Sequence, residues 1–291
     1  MIKKILFIAI TSLSIAVTGS ALADSYSDIE LGVDHIDYQE HLAEFAGQGK
    51  ITQSASANNP TLRNFSYSEL NDQWGLIVQG STTLATSIQQ EKWSLGRFGQ
   101  IQEDEFKIKY SEIGLGFAYA LQPKIQLVLG GKFTSSGFTR SNFQKTNPGA
   151  AQFEAAIAPA AFDLSLGAVT EDQYSFLANV ALRYDTRLEP AQSPWSWYAE
   201  IGANTPIYNA IQNTNLPDET LTDSFNGWGV SGDVGVGYRL LKTLSLKLGV
   251  HGQYSQRDAI VRQSGGGATS LRALRRLSTS TKMACARAEL M

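Results

Sequence analysis

The chain is short of the residue types from which most metal, disulfide and nucleophile sites are made. Its 291 residues hold one cysteine, Cys285, and three histidines. A lone thiol excludes an intramolecular disulfide, so the fold must be stabilised in another way. His35, His41, His251 and Cys285 are scattered and give no metal-ligand spacing, so neither a metal nor another cofactor is expected. After the N-terminal segment no apolar run approaches the ~18 residues that mark a membrane-spanning helix, which excludes a helical membrane bundle. No glycine-rich loop opens a helix, so nucleotide binding has no basis; Gly265-Gly266-Gly267 reads as a flexible break. Charge is sparse at 18% and unevenly spread: residues 24–261 hold 16 Lys/Arg against 26 Asp/Glu, whereas 262–291 hold six against one. A mildly acidic body argues against a nucleic-acid partner.

What the chain does have is alternation. In Phe106–Leu121, Gln173–Tyr184, Trp195–Ile207 and Trp228–Leu248 every second residue is bulky and apolar, and those between are small, polar or charged. In Gly227–Arg239 one parity reads Trp228, Val230, Val234, Val236, Tyr238 and the other Gly229, Ser231, Asp233, Gly235, Gly237, Arg239. Strand side chains alternate faces, so such runs build a sheet that is apolar on one side and wet on the other. The first 23 residues have the order of a secretory signal: Lys3 and Lys4, the short apolar core Ile5–Val17, and Ala21-Leu22-Ala23 as a cleavage site before Asp24. That core is shorter than the ~20 residues of a spanning helix. An exported chain with these strands predicts an all-β fold, a transmembrane antiparallel up-and-down β-barrel in the outer membrane over residues 24–261, followed by a basic tail at 262–291.

Three short connections, Gln122-Pro123-Lys124, Glu189–Pro194 and Leu241-Lys242-Thr243, lie between alternating strands and read as periplasmic turns, since such barrels keep short turns on that side. The longer polar stretches Gln39–Gln73, Arg140–Asp172 and Asn209–Asn226 read as outer loops; the Ala-rich Ala150–Ala161 within one of them is a candidate small helix at the barrel mouth. Nine strands are visible, with Trp74–Leu84 running towards the periplasm and Ile88–Phe98 as a weak upward neighbour. An even number is usual, so about ten strands are expected, within a range of eight to twelve. The tenth is not evident. From Arg262 alternation stops, the charge sign flips and aromatics vanish, so the closing strand is read as degenerate or missing and the tail as disordered or aberrant.

Parity assigns faces. Ile29, Leu31, Val33, Leu76, Val78, Leu115, Leu129, Val180, Val234 and Leu248 are among the lipid-side residues. Trp74, Tyr174, Trp195, Trp197, Trp228, Tyr238 and Tyr254 fall near strand ends, where amphipathic rings form an aromatic girdle at headgroup depth. The lumen parity holds Glu30, Asp34, Glu112, Lys132, Arg183, Asp185, Glu200, Asp233, Arg239, Lys247 and His251. Charges of both signs in one interior should pair crosswise, Lys132, Arg183 and Lys247 with Glu112, Glu200 and Asp233, and fill a small barrel.

This pattern resembles the broad superfamily of small bacterial outer-membrane β-barrels, including surface-antigen-like and OmpA-type membrane domains, over about residues 24–258. The omptin proteases are similar in export, size and strand number, and that resemblance would imply paired acids and an Asp–His couple at the outer rim. Here no Asp-x-His occurs, and Asp34-His35 with Asp37 is the nearest feature. His251 and Asp233 could form a base with an orienting carboxylate, as water activation needs, but a lumen histidine is more often a structural polar residue. His251 and Ser255 share the lumen face, unlike the lipid-facing pair of lipid A-modifying barrels. The expectation is therefore a non-enzymatic barrel without catalytic residues, a narrow pore or a structural and surface-contact protein. An outer-membrane hydrolase and an adhesin acting through outer loops are the alternatives. Outer-membrane lipid, lipopolysaccharide and the barrel-assembly machinery are the expected partners, and no pattern sets an oligomeric state.

Overall fold

A computed structural model describes residues 25–42, 50–146, 151, 168–188, 193–214, 216–241, 244–257 and 273–288. The proposed signal peptide, the Ala150–Ala161 segment, apart from residue 151, and the glycine-rich start of the tail lie outside them.

Twelve strands form one closed antiparallel sheet. In chain order they are β1 (Ser25–Leu42), β2 (Ile51–Asn71), β3 (Trp74–Thr83), β4 (Gln89–Leu95), β5 (Gly99–Gln122), β6 (Ile125–Lys145), β7 (Ala168–Asp185), β8 (Trp195–Asn213), β9 (Leu216–Asp223), β10 (Trp228–Leu241), β11 (Leu244–Arg257) and β12 (Ala273–Ala288). Closure comes from β1, which pairs with β2 on one side and β12 on the other. β3 and β4 both lie between β2 and β5, at successive heights, and so form one interrupted stave. β9 and β10 likewise pair in succession with β8.

Several sequence expectations are corrected. Gln39–Gln73 is not an outer loop: most of it is β2, a full-length downward strand. Trp74–Thr83 consequently runs upwards, and Gln89–Leu95 continues it rather than opposing it. The outer stretches after Arg140 and Asn209 are partly strand, since β6 and β8 run on to Lys145 and Asn213. The closing strand is not missing. β12 pairs antiparallel with β11 from Leu244↔Ala288 to Arg257↔Arg275, and with β1 from Asp28↔Arg287 to Leu42↔Ala273. Backbone pairing needs no apolar side chain, which is why a run without hydrophobic alternation can still complete a ladder.

The staves are pinned at a few points. Asn71 Oδ1 accepts hydrogen bonds from the backbone N–H of Gln73 and Trp74, both at 3.0 Å, and so fixes the tight β2–β3 turn. Where the β3–β4 stave breaks, side chains replace the ladder. Asn59 Nδ2 donates to the Ile108 carbonyl at 2.9 Å, and the Ser87 N–H and hydroxyl donate to Asn59 Oδ1 at 3.0 and 3.1 Å. Two lumen tyrosines lie flat over glycines. A Cβ on Gly75 would stand 2.3 Å from the Tyr67 ring, and one on Gly235 would stand 2.3 Å from that of Tyr198. Glycine there lets a large ring fill the interior next to the wall.

Candidate functional site

The outward parity marks where the wall changes environment. On β5 it reads Glu103, Glu105, Lys107, Lys109, Ser111 and then Ile113, Leu115, Phe117, Tyr119. On β6 it is Ile125, Leu127, Leu129 and Phe133 that carry the apolar part, with Ser135 and Thr139 beyond. A tilted strand needs only ~9–11 residues to cross a bilayer, and β5 has 24. The barrel is thus an apolar band below and a polar collar above.

Outward aromatic rings edge the band. Trp74 packs on Tyr119 with centroids 5.0 Å apart, and Trp195 on Tyr238 at 4.8 Å, at the end with the short turns. At the other edge Trp228 packs on Tyr254 at 5.5 Å, and Phe133 on Tyr174 at 6.3 Å and Phe176 at 5.0 Å. Trp197 is also outward and 57% exposed. All seven residues assigned to the girdle from sequence are therefore on the outer face.

The lumen is filled in layers. At the base, Asp28 on β1 accepts from Arg187 Nη1 at 2.7 Å and from Lys247 Nζ at 3.0 Å, and Lys247 also reaches Glu30 at 2.9 Å. Asp185 holds Arg183 at 2.8 Å and Arg187 at 2.6 Å, and Tyr26 Oη donates to it at 2.7 Å. Arg187 stacks 4.0 Å above the Tyr26 ring, and Lys247 lies 3.8 Å above that of Tyr198. In the closed order β1-β12-β11-β10-β8-β7, β1 and β7 are five places apart, so the Tyr26–Asp185 contact crosses the barrel. Above it sit Lys132–Glu112 at 3.1 Å, Arg183–Glu200 at 3.2 Å and Arg63–Asp34 at 3.1 Å. Next, on the wall of β1, β2, β5 and β6, comes an apolar cluster of Ile36, Tyr38, Ala55, Ala57, Phe106, Ile108 and Phe138. Among the described residues the interior keeps cavities of about 70 and 50 Å³, the former lined by Glu112, Lys132, Arg183 and His251 among others. Both exceed the roughly 10–15 Å³ that a single water needs by the same measure, so both can hold water.

Of the network read from sequence, two members are placed differently. Lys247 pairs with Asp28 and Glu30 rather than Asp233, because the register sets it beside the β1–β12 seam. Arg239 has lumen parity but is exposed at the turn end and has no ion pair among the described residues. His251 Nδ1 is 3.7 Å from Asp233 Oδ2, beyond a hydrogen bond. The basal ion pairs of Asp28 and Arg187 were not anticipated. Arg187 lies in a 3-10 turn (Thr186–Leu188), where parity gives no direction.

The mouth was also missed. Arg140 lies inside the collar, where Nε and Nη2 grip Glu91 at 2.6 and 3.1 Å; Nη2 also donates to Gln53 at 3.2 Å and lies 3.6 Å from Glu40. Its guanidinium faces the rings of Tyr38, Trp93 and Phe106 within about 6 Å. Asp104 on β5 is directly opposite Glu91 on β4. Burial and the Glu91 charge push the Asp104 carboxyl up to about 7, against a smaller lowering by Arg140. Asp104 Oδ1 has no hydrogen-bond partner among the described residues.

The whole architecture has a counterpart in known proteins. The chain is similar to the outer membrane protease OmpT from Escherichia coli, with a TM-score of 0.70 at 11% identity over 94% of this chain and 99% of that one. This is an outer-membrane β-barrel fold. A more distant likeness joins it to the outer membrane protein OprG from Pseudomonas aeruginosa, at a TM-score of 0.37 and 10% identity over 94% and 99% of the two chains. No family model and no curated protein sequence matches the chain. The barrel's three described imidazoles do not meet its acidic mouth. His35 and His41 are outward on β1, bonded to Asn58 at 2.8 Å and Thr52 at 3.1 Å, and His251 lines the lower cavity. Among the described residues no three His, Cys, Asp or Glu side chains converge as a metal-ligand set.

Proposed function

We propose that this barrel is a non-conducting outer-membrane protein whose contacts with other molecules are made by its polar collar and mouth. The observation that carries this is the cross-lumen ionic layer, in which Asp28, Asp185, Arg183, Arg187 and Lys247 tie β1 to the opposite wall. Charge-assisted hydrogen bonds of this kind hold their geometry strongly, and an apolar cluster on the wall of β1, β2, β5 and β6 narrows the lumen above them. Outward apolar rows between two aromatic edges support placement in a bilayer, with lipid and lipopolysaccharide around the band. In planar bilayers the purified barrel should give no steady single-channel steps; ion-selective steps at the wild-type sequence would defeat the sealed lumen.

A second reading, a peptidase, is supported by the fold shared with a protease and by the Glu91–Asp104 carboxyl pair at the mouth, one of which holds a proton near neutrality. A general acid–base pair needs its two members at different protonation states. Reproducible peptide cleavage that is lost in Asp104→Asn, with the barrel still folded, would replace the first reading by this one. Absence of cleavage in both proteins supports the first.

A further inference from the structure

β2 is exceptional on its outer face. Between the two aromatic edges the other strands with described side chains present mainly Leu, Ile, Val, Phe, Ala or Gly. β2 presents Ser68, Ser66 and Asn64 before Leu62 and Pro60.

Register fixes the depth of Asn64. Its row of paired residues runs one way through Ile29, Ala286, Leu246 and Tyr238 to Trp195, at the turn-side aromatic edge. The other way it runs through Gly80, Ile113, Phe133 and Phe176 to Tyr208, at the collar-side edge. The row leaves β8 at Trp195 and returns to the same strand at Tyr208, so it climbs as it circles the barrel, as tilted strands require. Asn64 is five strands from either end. It therefore lies at mid-depth in the apolar band.

A carboxamide there has no water to bond. Ser66 has a partner, the Ser27 hydroxyl at 2.9 Å. The Asn64 amide has no hydrogen bond among the described residues; its Oδ1 lies over Gly80, where a Cβ would stand 2.5 Å away. The surroundings are small: Gly80 on one side, Ser66 and Ser68 below. Small residues allow close backbone approach in lipid, and polar ones that find a partner hold it.

We propose that this face of β2 is an interface with a second copy of this chain, packed about a two-fold axis near Asn64. A carboxamide carries both donors and an acceptor, so two Asn64 side chains satisfy each other across such an axis without a different partner. Ser66 and Gly80 give the two walls room to approach, and Ile29, Leu31 and Val33 on β1 flank the contact with apolar surface.

The proposal rests on the band lying in lipid, and the experiment separates the two. The full-length protein is inserted into phospholipid vesicles, folding is followed by heat-modifiable gel migration, and association by photobleaching steps of a single label. Two-step bleaching is expected for the wild type, and Asn64→Leu should fold at least as well while weakening self-association about tenfold. In a Cys285→Ser background, Asn64→Cys should cross-link to itself, and Leu115→Cys, on β5, should not. Monomers at every lipid-to-protein ratio, dimers unaffected by Asn64→Leu, or cross-linking of Asn64→Cys to a different polypeptide would each overturn the second-copy interface. Failure to insert at all would overturn the membrane placement and the proposal with it.

Discussion

Asp104 offers the sharpest quantitative test of the mouth. Its carboxyl is buried opposite Glu91, with Arg140, Gln102 and Trp93 as its other close polar neighbours, and is pushed up from 3.8 to about 7. A carboxyl whose folded value exceeds its unfolded value stabilises the fold most below the unfolded value. That contribution is lost as pH rises through the folded one. Between pH 4 and pH 7 the unfolded chain releases this proton while the folded barrel keeps it. The shift of about three units corresponds to roughly 4 kcal/mol at most, at 1.36 kcal/mol per unit. Relaxation of the mouth reduces this to about half. Asp104→Asn keeps the shape and removes the titration. The assay is urea unfolding in detergent micelles from pH 4.5 to 8.5, comparing the difference between the two proteins rather than either alone, since groups remote from the mouth contribute equally to both. Asn should gain on Asp steadily as pH rises, by roughly 2–4 kcal/mol across the range. A difference that is flat with pH, or one that favours Asp at alkaline pH, would refute the reasoning.

Other outcomes follow from contacts with few substitutes. Lys247→Met leaves Asp28 and Glu30 facing each other at the β1 seam, and should cost about 3–5 kcal/mol, visible as a lost heat-modifiable band. Gly235→Ala drives a Cβ into the Tyr198 ring and should destabilise by about 1–3 kcal/mol, whereas Gly252→Ala, with open space around it, should be near neutral in the same urea titration. Asn59→Ala removes the bonds that close the β3–β4 break and should make the 84–88 segment the first site of limited proteolysis; an unchanged cleavage pattern would show that the ladder alone holds it.

The strands that sequence reasoning found are those whose outward face is apolar, such as β5, β7 and β10, because period-two hydrophobicity is what the eye can detect. β2 was hidden because its outward residues are mostly serine, asparagine, threonine and proline, while its lumen side carries Ile51, Ala55, Ala57, Phe65 and Tyr67. Its alternation is inverted relative to a lipid-facing strand and resembles a polar loop. β12 was hidden for another reason: its ladder is made by the backbone, and Arg275, Arg276 and Lys282 mask any pattern. In the lumen, parity placed Glu112, Lys132 and Arg183 on one face, but it matched Lys247 with Asp233, whereas register across the barrel brings Lys247 to Asp28 and Glu30. The mouth was out of reach because Glu40 and Arg140 fell beyond the strand ends that the sequence suggested, and Glu91 lay in Ile88–Phe98, whose alternation is too weak to assign faces. Register and strand length, not composition, bring them together.

The seam between β1 and β12 sets an order in time. The first strand has its second neighbour some 240 positions later in the chain, with Asp28 opposite Arg287 and Leu42 opposite Ala273. Such distant pairing is the slowest kind to find, and every other ladder can form before it. Until β12 arrives, the free edges of β1 and β11 are the exposed templates on which a wrong partner could add. The Lys247 bonds to Asp28 and Glu30 join β11 directly to β1 across the gap that β12 fills. They can hold the two edges in register before the last strand is in place, so the ionic floor of the barrel would serve as its clasp during assembly as well as its seal afterwards.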